Sequence, residues 1–157
     1  MLTTLIATIA LSSVAPVAPA ISVSKVKTFS YIHATAIAVA PKGGTFAVAS
    51  EDKQIRIIDD KTMQTKFQLA GHPMTPYAVA FSKDGRYLLS GDESARIWLW
   101  DARTGKKIRE YPRAKGHTRG IQALAFSPNG QQFASVGKDD VIKIWNTAGG
   151  DPVDTIK

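Results

Sequence analysis

Apolar residues of this chain occur in short alternating runs separated by polar turns, and the same order of runs recurs three times. The first run of each recurrence covers residues 37–40, 77–81 and 121–126. The second covers 46–50, 87–90 and 133–136, and the third covers 54–58, 96–100 and 141–145. Short runs rich in β-branched and aromatic residues are typical of strands, and no helical periodicity is sustained. The pattern predicts an all-β fold.

Turn sequences connect the first run to the second in every recurrence. They cover residues 41–44, 82–85 and 127–130, and each ends in glycine after Pro, Asp or Asn. Glycine supplies the positive φ that tight turns need, so these segments predict hairpins. A fourth, outer strand is predicted at 66–69, 107–111 and 153–157, and a similar alternating segment at 25–32 precedes His33.

The histidines show the repeat most directly. His33, His72 and His117 lie 39 and 45 residues apart. This spacing matches the period of about 40–45 residues that is typical of propeller blades with four strands each. The sequence therefore predicts β-propeller blades of four antiparallel strands, about three in number, over residues 25–69, 70–111 and 112–157.

Two pairs of short motifs extend this interpretation. Gly71 and His72 precede Trp100 and Asp101, and Gly116 and His117 precede Trp145 and Asn146 in the same way. These motifs resemble the Gly-His and Trp-Asp motifs of the WD-repeat (WD40-type) β-propeller family, and the resemblance covers residues 25–157.

The resemblance implies a hydrogen-bonded network inside each blade, built from a His, a Ser or Thr, an Asp and a Trp. The matching residues of the third repeat are His117, Ser135, Asp139 and Trp145. Those of the second repeat are His72, Ser90 and Trp100, with Ser94 where the aspartate is expected. The first repeat keeps His33 and Asp52 but has Val48 and Ile58 in the other two positions, which predicts cohesion by packing alone.

Three blades are fewer than a closed ring contains. Propellers close with about four to eight blades, so three leave two blade faces uncovered. A half-ring of this kind predicts either a fragment of a longer chain or copies that assemble into a ring. The fragment is favoured, because unfinished repeat arrays lack capping.

The first twenty residues differ from the repeats. They run apolar from Leu5 to Leu11 and reach Ala18-Pro19-Ala20, a pattern typical of a signal peptide over residues 1–20 with cleavage after Ala20. The first cations follow the apolar run instead of preceding it, so an uncleaved anchor and a misplaced start codon stay open as alternatives. A signal peptide predicts a periplasmic or secreted protein, and its absence a cytoplasmic one. No later segment predicts a membrane span.

Composition limits the kind of partner and site. The formal net charge of +7 favours an acidic partner, and the absence of cysteine excludes disulfides and thiolate metal sites. The basic segment 106–119 lacks a recognisable nucleic-acid-binding module, so a nucleic-acid partner is not favoured.

Catalytic and metal-binding readings are weaker than the structural one. Ser135, His117 and Asp139 are the residue types of a nucleophile, a base and an orienting group, but their positions recur as a repeat feature. The three histidines are expected to diverge around a ring, so they do not predict a metal site. No cofactor-binding motif is present.

The sequence thus predicts a non-catalytic scaffold that binds a protein or peptide. Partner contacts are expected on loops at one rim of the blades, since recognition usually resides on loops of a rigid scaffold. The candidate rim residues are Met74, Pro76, Glu93, Arg113, Lys115, Arg119 and Lys138. The alternative is the scaffold portion of a larger propeller enzyme or ligand-binding protein whose active residues lie outside this chain.

Overall fold

The computed structural model describes residues 33–157, which form three sheets of four antiparallel strands, here called blades 1 to 3. Blade 1 contains β1 (Ala34–Val39), β2 (Thr45–Ser50), β3 (Ile55–Asp59) and β4 (Thr65–Leu69). Blade 2 contains β5 (Pro76–Phe81), β6 (Tyr87–Asp92), β7 (Ile97–Asp101) and β8 (Lys107–Glu110). Blade 3 contains β9 (Ile121–Phe126), β10 (Gln132–Gly137), β11 (Ile142–Asn146) and β12 (Asp154–Ile156).

This architecture confirms the predicted all-β chain of four-stranded antiparallel blades. The signal peptide predicted at 1–20 and the outer strand predicted at 25–32 lie outside the described residues. Within residues 33–157 there is no helix long and apolar enough to cross a membrane.

Several strand limits differ slightly from the predicted ones. The third strand of blade 1 was expected to begin at Gln54, but the carbonyl of Gln54 closes the preceding turn by accepting a hydrogen bond from the Ser50 amide. The hairpin turns agree with their sequences: Gly85 has a φ of 73° and donates its amide to the carbonyl of Ser82. Local turn chemistry therefore sets where the strands start.

The core lies between the blades. Alanines on β2 and isoleucines on β3 pack against Leu88, Trp98 and Trp100 of blade 2. The other face of blade 2 packs in the same way against Ile121, Phe133 and Trp145 of blade 3. Each interface thus places the aromatic face of one blade on the aliphatic face of the blade before it.

One position of the third strand shows how strongly this packing controls burial. Ile55 and Ile97 are 0% and 2% exposed, whereas Ile142, at the same place in blade 3, is 38% exposed. The first two isoleucines are covered by the following blade, and no described residue covers the third in this way. The outer face of blade 3 is therefore open within residues 33–157.

A β-bulge recurs at the start of the innermost strand of every blade. Pro76 pairs with Asp92 and Ala78 pairs with Gly91, so Tyr77 has no opposite residue. The registers of blades 1 and 3 shift at the corresponding Thr35 and Gln122. Bulges redirect side chains out of the regular alternation. Thr35, Tyr77 and Gln122 are called the bulge residues below.

Candidate functional site

Blade 3 contains the complete hydrogen-bonded network that the resemblance implied. His117 Nδ1 lies 2.8 Å from Asp139 Oδ1, and His117 Nε2 lies 2.7 Å from Ser135 Oγ. Trp145 Nε1 donates to the same Ser135 oxygen at 2.8 Å. One proton arrangement satisfies all four side chains: Trp145 donates to Ser135, Ser135 to His117, and His117 to Asp139. The network connects the loop before β9 to β10 and β11.

This geometry supports a structural role for the serine. Ser135 is fully buried, its oxygen accepts the indole N–H, and its proton is directed at His117. A nucleophilic serine must reach a substrate carbonyl, and the buried Ser135 hydroxyl has no route to one.

Blade 2 contains the same network with a different source of the carboxylate. His72 Nδ1 lies 2.8 Å from Asp92 Oδ2, and Ser90 Oγ contacts His72 Nε2 at 2.7 Å. Trp100 Nε1 donates to Ser90 at 2.8 Å. The expectation that Ser94 leaves this repeat without its aspartate was wrong, since Ser94 only donates a hydrogen bond to Asp92.

A glycine explains why the network aspartate comes from a strand in blade 2 and from a turn in blade 3. Asp92 of blade 2 corresponds in the strand register to Gly137 of blade 3. A Cβ atom at Gly137 would collide with the ring of His117 and the carboxylate of Asp139. The glycine leaves the space into which Asp139 reaches from the turn, whereas in blade 2 the strand residue itself fills that space.

Both network aspartates are held ionised. Burial alone would raise the pKa of Asp92, but hydrogen bonds from His72, Ser94 and the Arg96 amide outweigh it and hold this pKa below its usual value. Burial is likewise the largest effect on Asp139, and the Thr118 amide and His117 overcome it and lower its pKa. The two carboxylates therefore accept hydrogen bonds and do not act as proton donors near neutral pH.

Blade 1 has another polar cluster in place of the network. Asp52 pairs with the Arg56 guanidinium, and Ser50 contacts both side chains. The hydrogen bond from Arg56 is the main reason that the pKa of Asp52 falls to about 2. His33 is exposed. The predicted reliance of this blade on packing alone was therefore incomplete.

A cluster of side chains at one rim of blades 2 and 3 faces solvent. Lys138 Nζ lies 3.9 Å from Glu93 Oε1 and 5.1 Å from the centre of the Tyr77 ring. Arg119 donates to the carbonyl of Lys138 at 3.4 Å. Met74, in the loop before β5, is 41% exposed. These five residues, Met74, Tyr77, Glu93, Arg119 and Lys138, are called the rim patch.

The other predicted rim residues do not join this patch. Pro76 is fully buried, so its selection as a contact residue was wrong: it begins β5, and its carbonyl accepts a hydrogen bond from Thr35. Lys115 forms an ion pair with Asp151 at 2.7 Å, in the connection that leads to β12. Arg113 is exposed in the same loop as Lys115.

Sequence reasoning missed Tyr77 as a surface residue. It was assigned to a strand, where the alternation offers no sign that a side chain leaves the regular pattern. The structure shows that the bulge turns the ring toward Lys138 and leaves it 36% exposed. The sequence does contain one sign of the bulges. The three bulge positions hold unlike residues, Thr35, Tyr77 and Gln122, whereas the flanking strand residues are mostly small or aliphatic.

The titratable side chains do not gather into a metal site. Within the part of the chain that the structure describes, no three His, Asp or Glu residues lie close enough together to hold an ion. The two buried histidines, His72 and His117, are accounted for by the networks above.

Comparison with known proteins gives matches over most of the described region. The family model for "WD domain, G-beta repeat" matches residues 24–59, 63–101 and 105–146. WD repeat-containing protein 1 of Xenopus tropicalis is 32% identical over 106 residues, which are 68% of this chain and 18% of that protein. An uncharacterized WD repeat-containing protein of Synechocystis sp. is 31% identical over 144 residues, or 88% of this chain and 38% of that protein.

Solved structures show the same likeness. The crystal structure of RRP9 WD40 repeats superposes with a TM-score of 0.75 at 27% identity, over 80% of this chain and 39% of that one. The structure of U3-55K gives the same TM-score at 26% identity. The chain therefore spans less than two fifths of the length of these relatives.

Proposed function

Because the chain belongs to the WD-repeat family of β-propeller proteins, as its three matched repeats confirm, we propose that it is a non-catalytic scaffold that binds a protein or peptide through the rim patch. WD40 proteins generally act as scaffolds of this kind. The observation that carries the proposal is the position of Tyr77, which a bulge directs outward beside Lys138.

The rim patch combines a rigid base with exposed groups. Tyr77 follows the buried Pro76, and the amide of Glu93 donates to the carbonyl of Thr75. The amide of Lys138 donates to Gly120, which fixes the turn of blade 3 against the loop before β9. A contact residue held in this way loses little conformational entropy on binding, and Tyr and Met are enriched in protein interfaces.

Charge supports an acidic partner. The patch contains two cations, Arg119 and Lys138, and one carboxylate, Glu93. The neighbouring Asp139 points inward. Its oxygens accept hydrogen bonds from His117 and the Thr118 amide and do not pair with Lys138. A peptide carboxylate could pair with Lys138 while an apolar side chain packs on Tyr77 and Met74.

Replacing Lys138 with glutamate is expected to weaken binding of acidic peptides to the rim at least tenfold, because attraction becomes repulsion at the centre of the patch. Random twelve-residue peptides displayed on phage are selected on the full chain, and the enriched peptides are titrated by fluorescence anisotropy. Lys61→Glu is the matched control, because Lys61 is exposed on a turn of blade 1 at the opposite end of the blades.

The same titration tests the aromatic contribution through Tyr77→Ala. Loss of binding in Tyr77→Ala and Lys138→Glu, with Lys61→Glu unchanged, supports the rim as the binding surface. Equal affinities in all variants would exclude it. Circular dichroism of each variant shows that the blades stay folded.

We also propose that the protein is exported, on the strength of the apolar run and the Ala18-Pro19-Ala20 sequence. Mass spectrometry of the protein expressed in its source cell is expected to find Ile21 as the mature N-terminus. Small residues are needed at the cleavage site, so Ala18→Leu together with Ala20→Leu should leave the segment attached. A mature wild-type protein that begins at Met1 would refute export by this route.

A further inference from the structure

A second recess, separate from the rim patch, follows the seam between blades 2 and 3 at the opposite end of the blades. Its larger compartment has a volume of about 610 Å³ and extends from Tyr87 and Ile108 to Arg109 and Asn146. A smaller compartment of about 400 Å³ contains Lys83 and Pro128. Tyr87 and Gly130 line both compartments, so together they form one groove, called the seam groove.

Arg109 is the one charged side chain that lines the larger compartment, and no carboxylate lines it. Its Nη1 donates to the carbonyl of Ala148, and its buried Nε has no hydrogen-bond partner. The buried Nε of Arg96 in the same blade also has no partner, but the Arg96 guanidinium pairs with Glu110. A partly buried guanidinium without a carboxylate keeps an unsatisfied preference for an anion.

Other groups of the seam groove suit the same kind of ligand. The buried hydroxyl of Thr147 has no hydrogen-bond partner, and the side-chain amides of Gln131 and Asn146 line the same compartment. These groups can donate hydrogen bonds to a carboxylate or a peptide carbonyl.

Apolar side chains also line the larger compartment. Leu99 and Tyr87 line it, and Ile108 is directed into it at a bulge between β7 and β8. Ile108 is 42% exposed, so its side chain is available for an apolar contact with a ligand. The groove therefore offers an apolar contact and an anion contact to one ligand.

The smaller compartment adds a second cation. Lys83 is exposed at its edge, while the one carboxylate there, Asp84, accepts hydrogen bonds from the Ser82 hydroxyl and the Arg86 amide. Because Asp84 stays ionised, its charge offsets that of Lys83, and the net positive charge along the seam groove comes from Arg109. The larger compartment is therefore the part of the groove that favours an anion.

We propose that the seam groove binds an acidic peptide segment in which a carboxylate pairs with Arg109 and a neighbouring apolar side chain packs on Ile108. The site is independent of the rim patch, so the chain can hold two partner segments at opposite ends of its blades.

The experiment selects random twelve-residue peptides, displayed on phage, on the full chain that carries Lys138→Glu and Tyr77→Ala, so that the rim patch cannot contribute. Enriched peptides are expected to contain Asp or Glu next to an aliphatic residue. In the wild-type protein labelled with ¹⁵N, each peptide is expected to shift the amide signals of Gly130, Ala148 and Gly149.

Two pairs of variants locate the binding. Arg109→Gln is expected to weaken the selected peptides at least tenfold, while Arg96→Gln leaves them unchanged. Gln131→Glu places a like charge in the groove and is expected to weaken binding severalfold without touching the core, since Gln131 is exposed. Gln64→Glu is its matched control, because Gln64 is exposed on the turn between β3 and β4 of blade 1 and lines neither compartment.

The results distinguish binding at the seam groove from binding at the rim patch. Peptides without acidic residues, equal affinity in Gln131→Glu and Gln64→Glu, or amide shifts elsewhere would each overturn the proposal for the seam groove. Peptides selected on the wild-type protein that lose affinity in Lys138→Glu but not in Arg109→Gln would leave the rim proposal intact and refute this one. If Arg109→Gln does not fold, the comparison of Gln131→Glu with its control variant still tests the proposal.

Discussion

Replacing Trp145 with alanine is expected to lower the free energy of unfolding by about 3–5 kcal/mol, the range for loss of a large aromatic side chain from a core. Trp145 is almost fully buried, and its ring stacks on Phe133 at a centroid distance of 6.0 Å and meets Tyr111 at 5.7 Å. The substitution removes this packing together with the indole hydrogen bond to Ser135. Urea denaturation of the purified chain measures the loss.

Trp145→Phe separates the two contributions. Phenylalanine keeps much of the packing but has no N–H group, so Ser135 loses one partner and about 1–3 kcal/mol is expected to be lost. A loss below about 1 kcal/mol in Trp145→Ala would be inconsistent with the role of this ring in joining blade 3 to blade 2.

Replacing Asp92 with alanine is expected to cost about 3 kcal/mol, the upper end of the range for hydrogen bonds to a charged group. Asp92 is fully buried and accepts hydrogen bonds from His72 and from the amides of Ser94 and Arg96. The substitution leaves the His72 Nδ1 group buried without its partner. Urea denaturation at neutral pH compares this variant with the wild type.

Ser94→Ala is the matched control, because the sequence alignment alone assigns the aspartate position to Ser94. Its loss is expected to stay within about 1 kcal/mol, since one hydrogen bond to Asp92 is removed and no buried group is stranded. A larger loss in Ser94→Ala than in Asp92→Ala would refute the assignment of Asp92 to the network.

The difference in stability between the wild type and Asp92→Ala is also expected to depend on pH. The folded-state pKa of Asp92 is depressed, so its contribution to stability is fully present above the usual aspartate pKa of about 3.9. It is lost as the pH falls below that value through the folded-state pKa. The difference in stability between wild type and Asp92→Ala is therefore expected to be constant near neutral pH and to shrink in acid.

The repeat itself could be predicted from local features of the sequence. The spacing of the histidines, the glycine turns and the alternating runs are properties of neighbouring residues, and they predicted four-stranded antiparallel blades that the structure contains. The third-repeat network was predicted for a related reason. Its serine, aspartate and tryptophan fall at the positions that the family motif specifies.

Predictions that depended on where a side chain points were less complete. Pro76 was selected for its place in a loop, but the start of β5 buries it. Tyr77 was placed inside a strand, and only the shift of register at the bulge shows that its ring leaves the sheet. Sequence alternation assumes an unbroken pleat, so a bulge reverses its conclusion without any change in composition.

The sequence by itself determined the blades and their strand order, because hydrogen-bonded ladders and turns depend on residues close in the chain, and the resemblance to the family implied the buried His117 network. Only the tertiary structure decided that Asp92 supplies the carboxylate in blade 2, where the corresponding Gly137 of blade 3 leaves that place to Asp139, and that Arg109 lacks a carboxylate in the seam groove. Both facts depend on the free space and charge around a side chain. Segments that are distant in the chain determine that space and charge when the blades pack. A local sequence pattern therefore cannot predict them.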